Sequence, residues 1–167
     1  LKWFEPGPLA GRRIVVARAR AQASDLADRL RSLGAHVSEI PAIEAELHTD
    51  YVDLQAAVIS RPDWLVFPAV ASVMAALAAI AAAGFDVCVL GNPKISAFGQ
   101  GTVSKLREYG LRPDFVPSKA TLSVLGAELP VLAGERVIFA TSSAATEDAA
   151  NELRVRSVEV VQIAAFT

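Results

Sequence analysis

Leu9–Pro41 reads LAGRRIVVARARAQASDLADRLRSLGAHVSEIP, and this stretch decides the fold. Arg13–Ala17 (RIVVA) is short, apolar and β-branched, the composition of a buried strand. A helical pattern follows from Ala21 to Leu33, where Leu26, Leu30 and Leu33 fall at i, i+4 and i+7 and form one apolar face. Gly34 supplies the helix stop. His36–Ile40 is a second strand-like run, ended by Pro41. Strand, helix and strand in this order make one β-α-β unit.

The unit returns without a gap 123 positions later as Leu132–Ala164, LAGERVIFATSSAATEDAANELRVRSVEVVQIA. Identical pairs include Leu9/Leu132, Gly11/Gly134, Arg13/Arg136, Asp25/Asp148, Leu30/Leu153, Arg31/Arg154, Val37/Val160 and Ile40/Ile163. Lys105–Pro117 (KLREYGLRPDFVP) also echoes Arg29–Pro41 (RLRSLGAHVSEIP). A chain that reuses one unit in this way is expected to consist of two related halves.

Between the copies, strands and helices alternate. Asp50–Ser60 reads as a helix with Asp50 near its start, and Trp64–Phe67 (WLVF) as a buried strand. A helix over Ala71–Ala83 ends at Gly84, and Lys94–Phe98 is a strand. A helix over Thr102–Tyr109, a strand at Asp114–Val116 and a helix over Thr121–Leu129 follow. The second copy then gives strand Arg136–Ala140, helix Ala144–Val155 and strand Val158–Ile163. This alternation predicts an α/β fold with a parallel sheet and helices on both faces.

Composition narrows the function. The sequence has 167 residues, 53% apolar and 20% charged, which is globular rather than disordered. A net charge of −2 gives no basic field for nucleic acid. The single cysteine, Cys88, excludes an internal disulfide framework and a multi-cysteine zinc site. It lies in the apolar run Val87–Leu90 and reads as a small buried hydrophobe. The start shows no basic region followed by a long apolar run, so no signal peptide is expected. Trp64–Ala83 is the most hydrophobic segment, but Pro68 and Ser72 divide it into strand, turn and helix rather than a membrane span. A cytoplasmic protein is the expectation.

His36 and His48 are the only histidines, twelve positions apart and without an acidic or thiol partner at ligand spacing. They read as structural or surface residues, and no metal is expected. No G-x-S-x-G, P-loop or G-x-G-x-x-G is present. Gly99-Gln100-Gly101-Thr102 lies at a strand-to-helix turn. Its glycines let the backbone approach a ligand, and the following helix start favours a carboxylate or phosphate. The plainer reading is a tight turn with Thr102 as N-cap. Thr141-Ser142-Ser143 is a second such turn, with N-capping as its plainer reading. Arg12, Arg13, Arg18 and Arg20 form the densest positive cluster. Arg18 and Arg20 lie just past a strand's carboxyl end, where open α/β sheets bind ligands, and arginine suits a carboxylate. The alternative is a solvated loop. Trp64 and Phe67 read as core.

These residues resemble the uroporphyrinogen-III synthase family. GRRIVVARARAQASDLADRLRSLGAHVSEIPAIE resembles the family's opening, and DWLVF, KISAFGQGTVSKLREYGLRPDFVP and GERVIF agree in order and spacing. The most specific part is Ala97–Thr121, and the likeness runs from Pro8 onward. LKWFEPGPLAGRR resembles the joint where this domain is fused behind a uroporphyrinogen-III methyltransferase.

The resemblance implies two flavodoxin-like α/β domains joined by a two-stranded ladder, the first domain being discontinuous. On that basis residues 1–8 are a linker and 9–41 are the first unit of domain 1. Residues 42–49 are a connector strand, 50–163 are domain 2, and 164–167 begin the return connector. The implied reaction is cofactor-free cyclisation of hydroxymethylbilane, a linear anionic tetrapyrrole, with inversion of ring D and loss of water. Arg18, Gly101 and Thr102 are the candidates for substrate carboxylates, with Ser142 and Ser143 beside them.

The sequence also departs from the family. Pro68-Ala69-Val70-Ala71 replaces a more polar turn, Gln100 replaces a proline, and Thr141 stands where arginine is common. Phe166 falls at the position of a tyrosine proposed to assist the leaving group. The family continues beyond the position of Thr167, so this chain is expected to be a fragment or a divergent relative. A further expectation is that Arg13–Ile40 packs against another copy in a strand-exchanged dimer, or is poorly ordered. A derived, non-catalytic binding or regulatory module is the other functional reading.

Overall fold

A computed structural model describes residues 7–17, 20–40, 45–119 and 121–167. Its contacts divide the chain into two units, Leu1–Ala45 and Glu46–Thr167.

The first unit is the opening β-α-β motif: β1 (Arg13–Ala17), α1 (Arg20–Ser32) and β2 (His36–Ile40). β1 and β2 are parallel, with Arg13 opposite His36 and Ala17 opposite Ile40. Gly34 turns the chain after α1 at φ +95°, the left-handed region that glycine enters without strain. A β-carbon there would also come within 3.2 Å of the Ala10 nitrogen. Val16, Ala27 and Ala35 are buried, while Val15 and Ile40 are 60% and 53% exposed. Two strands and one helix cover one face and leave the other bare.

The second unit contains α2 (Val52–Ile59), β3 (Trp64–Phe67), α3 (Val70–Ala82), β4 (Lys94–Ala97) and α4 (Gln100–Glu108). α5 (Leu122–Glu128), β5 (Arg136–Ser142), α6 (Asp148–Val155) and β6 (Glu159–Phe166) complete it. The sheet order is β4-β3-β5-β6, and each neighbouring pair is parallel. Alternation along β3 explains why WLVF is apolar throughout. Leu65 and Phe67 join a cluster with Val73, Ile80 and Leu106, on the side of α2, α3 and α4. Trp64 and Val66 join another with Leu125, Leu129, Ala149 and Leu153, on the side of α5 and α6. A parallel sheet covered on both faces reads as continuous hydrophobic runs.

The repeat seen in the sequence is a repeat in space. β5 and β6 pair with Arg136 opposite Glu159 and Ala140 opposite Ile163, the same register as β1 and β2 shifted by the repeat length. Gly11 and Gly134 take matching turns at φ +74° and +86°. The surroundings differ: β5 has β3 on one edge and β6 on the other.

Helices α5 and α6 approach closely at Gly126, where a β-carbon would lie 2.8 Å from Glu152 Cβ and 3.0 Å from the Ala149 carbonyl. The Arg156 guanidinium donates to the carbonyls of Gly126, Leu129 and Val131 and so closes the carboxyl end of α5.

Several expected boundaries are corrected. Asp114–Val116 is not a strand but a single bridge from Phe115 to Ser96. Pro113 and Pro117 bracket it, and the Asp114 side chain takes the Ile95 N–H that a longer ladder would use. α4 starts at Gln100 rather than Thr102, because Gly99, at φ +80°, is the non-helical cap. β5 runs on to Ser142, and α6 starts at Asp148 instead of Ala144. Val87–Gly91 is a 3₁₀ turn, and Cys88 is exposed, not buried. The Asp86 carboxylate accepts the Cys88 N–H and holds that turn outward. Asp50 does serve at the start of α2, accepting the Val52 N–H at 3.2 Å.

Candidate functional site

The parallel sheet of the second unit puts the carboxyl ends of β3, β4, β5 and β6 along one edge, where open α/β sheets place their ligands. After β3 the chain enters α3. Ser72 there accepts the Ala69 N–H at 3.1 Å and donates back to the Ala69 carbonyl. The Pro68–Ala71 turn is thus satisfied by a hydroxyl one position beyond it. After β4 the chain enters α4, and helix geometry leaves the N–H groups of Gln100, Gly101 and Thr102 without intrahelical partners. Thr102 is 2% exposed and packed inside, whereas Gln100 and Gly101 before it are exposed at the helix start.

Ser142 ends β5, and the Ala145 N–H donates to its carbonyl in the turn that follows. Ser143 is exposed, and its N–H donates to the Phe166 carbonyl at 2.9 Å. Ser142 and Ser143 therefore stand beside the end of β6. Gly101 and Thr102 follow β4, two strand positions from β5, about 10 Å away by sheet spacing. Arg18 lies outside the described residues, as does any account of the Arg20 side chain.

The end of β6 meets residues 46–48, inside the segment read from the sequence as a connector strand. Leu47 makes an antiparallel bridge to Phe166, with Glu46 N–H donating to the Thr167 carbonyl and His48 N–H to the Ala165 carbonyl. Phe166 is half-buried and packs against the apolar cluster beneath α2 and α3. Beside this ladder is a cavity of about 510 Å³ lined by residues 46–51, 53, 54, 163–165 and 167. His48 borders it, with Nδ1 3.1 Å from the Ala164 carbonyl and Nε2 2.8 Å from Thr167 Oγ1. Ser143 Oγ lies 3.2 Å from the same Thr167 oxygen. The visible sequence signal was the alternation of residues 43, 45 and 47, which puts position 48 on the opposite side from Leu47. His36, by contrast, is exposed on β2.

Among the described residues, no group of three or more histidine, cysteine, aspartate or glutamate side chains is arranged to hold a metal ion. No helix among them is long and apolar enough to cross a membrane.

The arrangement defines an α/β protein with polar turns and a cavity gathered at the carboxyl edge of a parallel sheet. A family model described as uroporphyrinogen-III synthase HemD matches residues 24–167, and the chain belongs to that family. It is 30% identical over 161 residues to the porphyrin biosynthesis protein HemD of Ruminiclostridium josui, covering 94% of this chain and 32% of that protein. It is 30% identical over 167 residues to the uroporphyrinogen-III synthase of Synechococcus elongatus, covering 95% of this chain and 61% of that protein. The chain thus spans less than two thirds of either relative's length. A crystal structure of uroporphyrinogen III synthase from the extremely thermophilic bacterium Thermus thermophilus shares the fold, with a TM-score of 0.61 and 24% identity, covering 93% of this chain and 61% of that one. The Helicobacter pylori enzyme matches with a TM-score of 0.52 and 13% identity, over 78% of this chain and 55% of that one.

Proposed function

We propose that this chain is a uroporphyrinogen-III synthase, cyclising hydroxymethylbilane with inversion of ring D and loss of water in tetrapyrrole biosynthesis. The family match over residues 24–167 carries this reading. The chemistry asks for a grip on several carboxylates and for a fold of the substrate that sets the correct end to attack, so orientation does most of the work. The exposed helix start at Gln100 and Gly101 and the hydroxyls of Ser142 and Ser143 lie along one sheet edge and support that grip, with Thr102 packed behind them. Arg18 joins them on the sequence alone. The reaction needs no cofactor, nucleic acid or membrane, and we place it in the cytoplasm, in keeping with one unpaired cysteine.

Freshly prepared hydroxymethylbilane tests the reading. Type III isomer should form faster than the spontaneous type I isomer. Type I alone, at the uncatalysed rate, sinks it. Phe166, which offers no hydroxyl, favours a second reading: a non-catalytic tetrapyrrole-binding or regulatory module, signalled by saturable binding without turnover.

We also propose that β1 pairs with a second copy of the chain by strand exchange. The support is internal: β5, the equivalent strand, carries β3 on one edge, and Val15 of β1 is exposed. Sedimentation showing only monomer counts against it. A fused or adjacent methyltransferase rests on the resemblance of Leu1–Arg13 alone.

A further inference from the structure

β5 and β6 pair regularly from Arg136 opposite Glu159 to Thr141 opposite Ala164, and then the register slips, so that Ser142 faces Phe166. The extra residue on β6 is a β-bulge, which re-aims the side chains beyond it. Val161, Ile163 and Ala165 alternate onto the apolar cluster beneath α2 and α3, and strict alternation would send Thr167 after them. With the bulge, Phe166 packs on that cluster instead. Thr167 Oγ1 lies 3.2 Å from Ser143 Oγ and 2.8 Å from His48 Nε2. The other ring nitrogen of His48 donates to the Ala164 carbonyl at 3.1 Å, and the His48 N–H donates to the Ala165 carbonyl. The side chains of His48, Thr167 and Ser143 thus form one hydrogen-bonded chain across the end of β6.

That chain reaches the turn after β5. Ser143 is anchored twice: its N–H donates to the Phe166 carbonyl, and its hydroxyl is engaged by Thr167. Ser142, half-buried beside it, has no side-chain partner among the described residues. We propose that Thr167, braced by His48, is a positioning residue: through Ser143 it holds the turn so that the Ser142 hydroxyl meets one carboxylate of the linear tetrapyrrole. The inference deepens the synthase reading above and rests on it. A serine on a loose turn must be ordered when the ligand arrives, and that ordering weakens binding. A turn tied beforehand to β6 avoids the loss. Ser143 therefore serves the grip by anchoring the turn, and Ser142 serves it by touching the substrate. Neither serine lines the cavity walled by Glu46, Asp50 and Asp53, so the carboxylate is received outside that acidic wall.

The test is steady-state formation of the type III isomer by the full chain and by Thr167→Val, Thr167→Ser, His48→Phe, Ser142→Ala and the double variant Ser142→Ala/Thr167→Val. A hydrogen bond to a charged group is worth at least about tenfold in an equilibrium, and one between neutral groups about fivefold. Ser142→Ala should therefore raise KM about tenfold or more, and Thr167→Val and His48→Phe about fivefold. In each, kcat should stay nearly unchanged, because the lost contact serves ground state and transition state alike. Thr167→Ser, which keeps the hydroxyl, should restore the wild-type KM. Since Thr167 acts through the turn that carries Ser142, the double variant should be no worse than Ser142→Ala alone. Melting curves check that each variant is folded at the assay temperature. An active wild type whose Thr167→Val and His48→Phe variants keep its KM overturns the positioning role and leaves the synthase reading intact. So do effects of Ser142→Ala and Thr167→Val that multiply in the double variant. A wild-type chain that forms no type III isomer overturns both.

Discussion

Ser157 holds the place in the second β-α-β unit that Gly34 holds in the first, and it takes the same left-handed turn at φ +61°. A side chain in that region costs about 1 kcal/mol, which glycine avoids. Ser157→Gly should therefore raise stability by no more than about 0.5 kcal/mol, after the greater freedom of glycine in the unfolded chain is set against it. A urea midpoint moved upward at constant slope is the expected readout. Gly34→Ala should act in the opposite sense, since its β-carbon would also press on Ala10.

Arg156 joins three carbonyls at the end of α5 with one planar group. Removing it takes that donor from the partly buried Gly126 and Val131 carbonyls, while Leu129 keeps the Val131 N–H. Arg156→Ala should cost about 2 to 3 kcal/mol. Arg156→Lys should recover little, because an ammonium on a flexible stem does not reproduce the fork. Full recovery by lysine would mean that charge alone matters at this site.

Ser96 lies in β4 with no exposure, and its hydroxyl has no hydrogen-bond partner. Ser96→Ala exchanges an unsatisfied polar atom for a methyl group. It should raise the melting temperature, with a gain of about 1 kcal/mol. A lower melting temperature would show that the hydroxyl has a role in the fold.

Cys88 is exposed, yet the neighbouring Asp86 carboxylate holds its thiol above the ordinary range. A raised value means less thiolate at any pH below it, hence slow alkylation. Iodoacetamide at neutral pH should label Cys88 slowly for so exposed a thiol, and Asp86→Asn should speed labelling several-fold. Equal rates in the two proteins would remove Asp86 as the cause.

The repeat was legible because the two β-α-β units differ in side chains but keep the same spacing of strand, glycine turn and strand. Equal spacing means equal register, and the structure bears this relation out: Arg13 faces His36 as Arg136 faces Glu159. Cys88 misled because an apolar run does not reveal which way a 3₁₀ turn points its middle residue. Asp114–Val116 misled because β-branched and aromatic residues suggest a strand, while a single aspartate side chain can take the backbone group that would extend it. The turns after β4 and β5 were found from glycine and hydroxyl composition. His48 was passed over because its partners, Thr167 and Ser143, come from the far end of the sequence. No local pattern brings them together.

His48 and Thr167 meet across 119 residues of chain. One isolated bridge and a few flanking hydrogen bonds hold that closure, while β5 beside it is paired on both edges. A seam so thin opens locally at far lower cost than the sheet. The amides of Glu46, His48 and Thr167 should then exchange with solvent well before those of Val137–Ala140. The cavity consequently has a wall that can unzip and reclose without melting the core, and its volume in the closed state is a lower limit on the size of the molecule it admits.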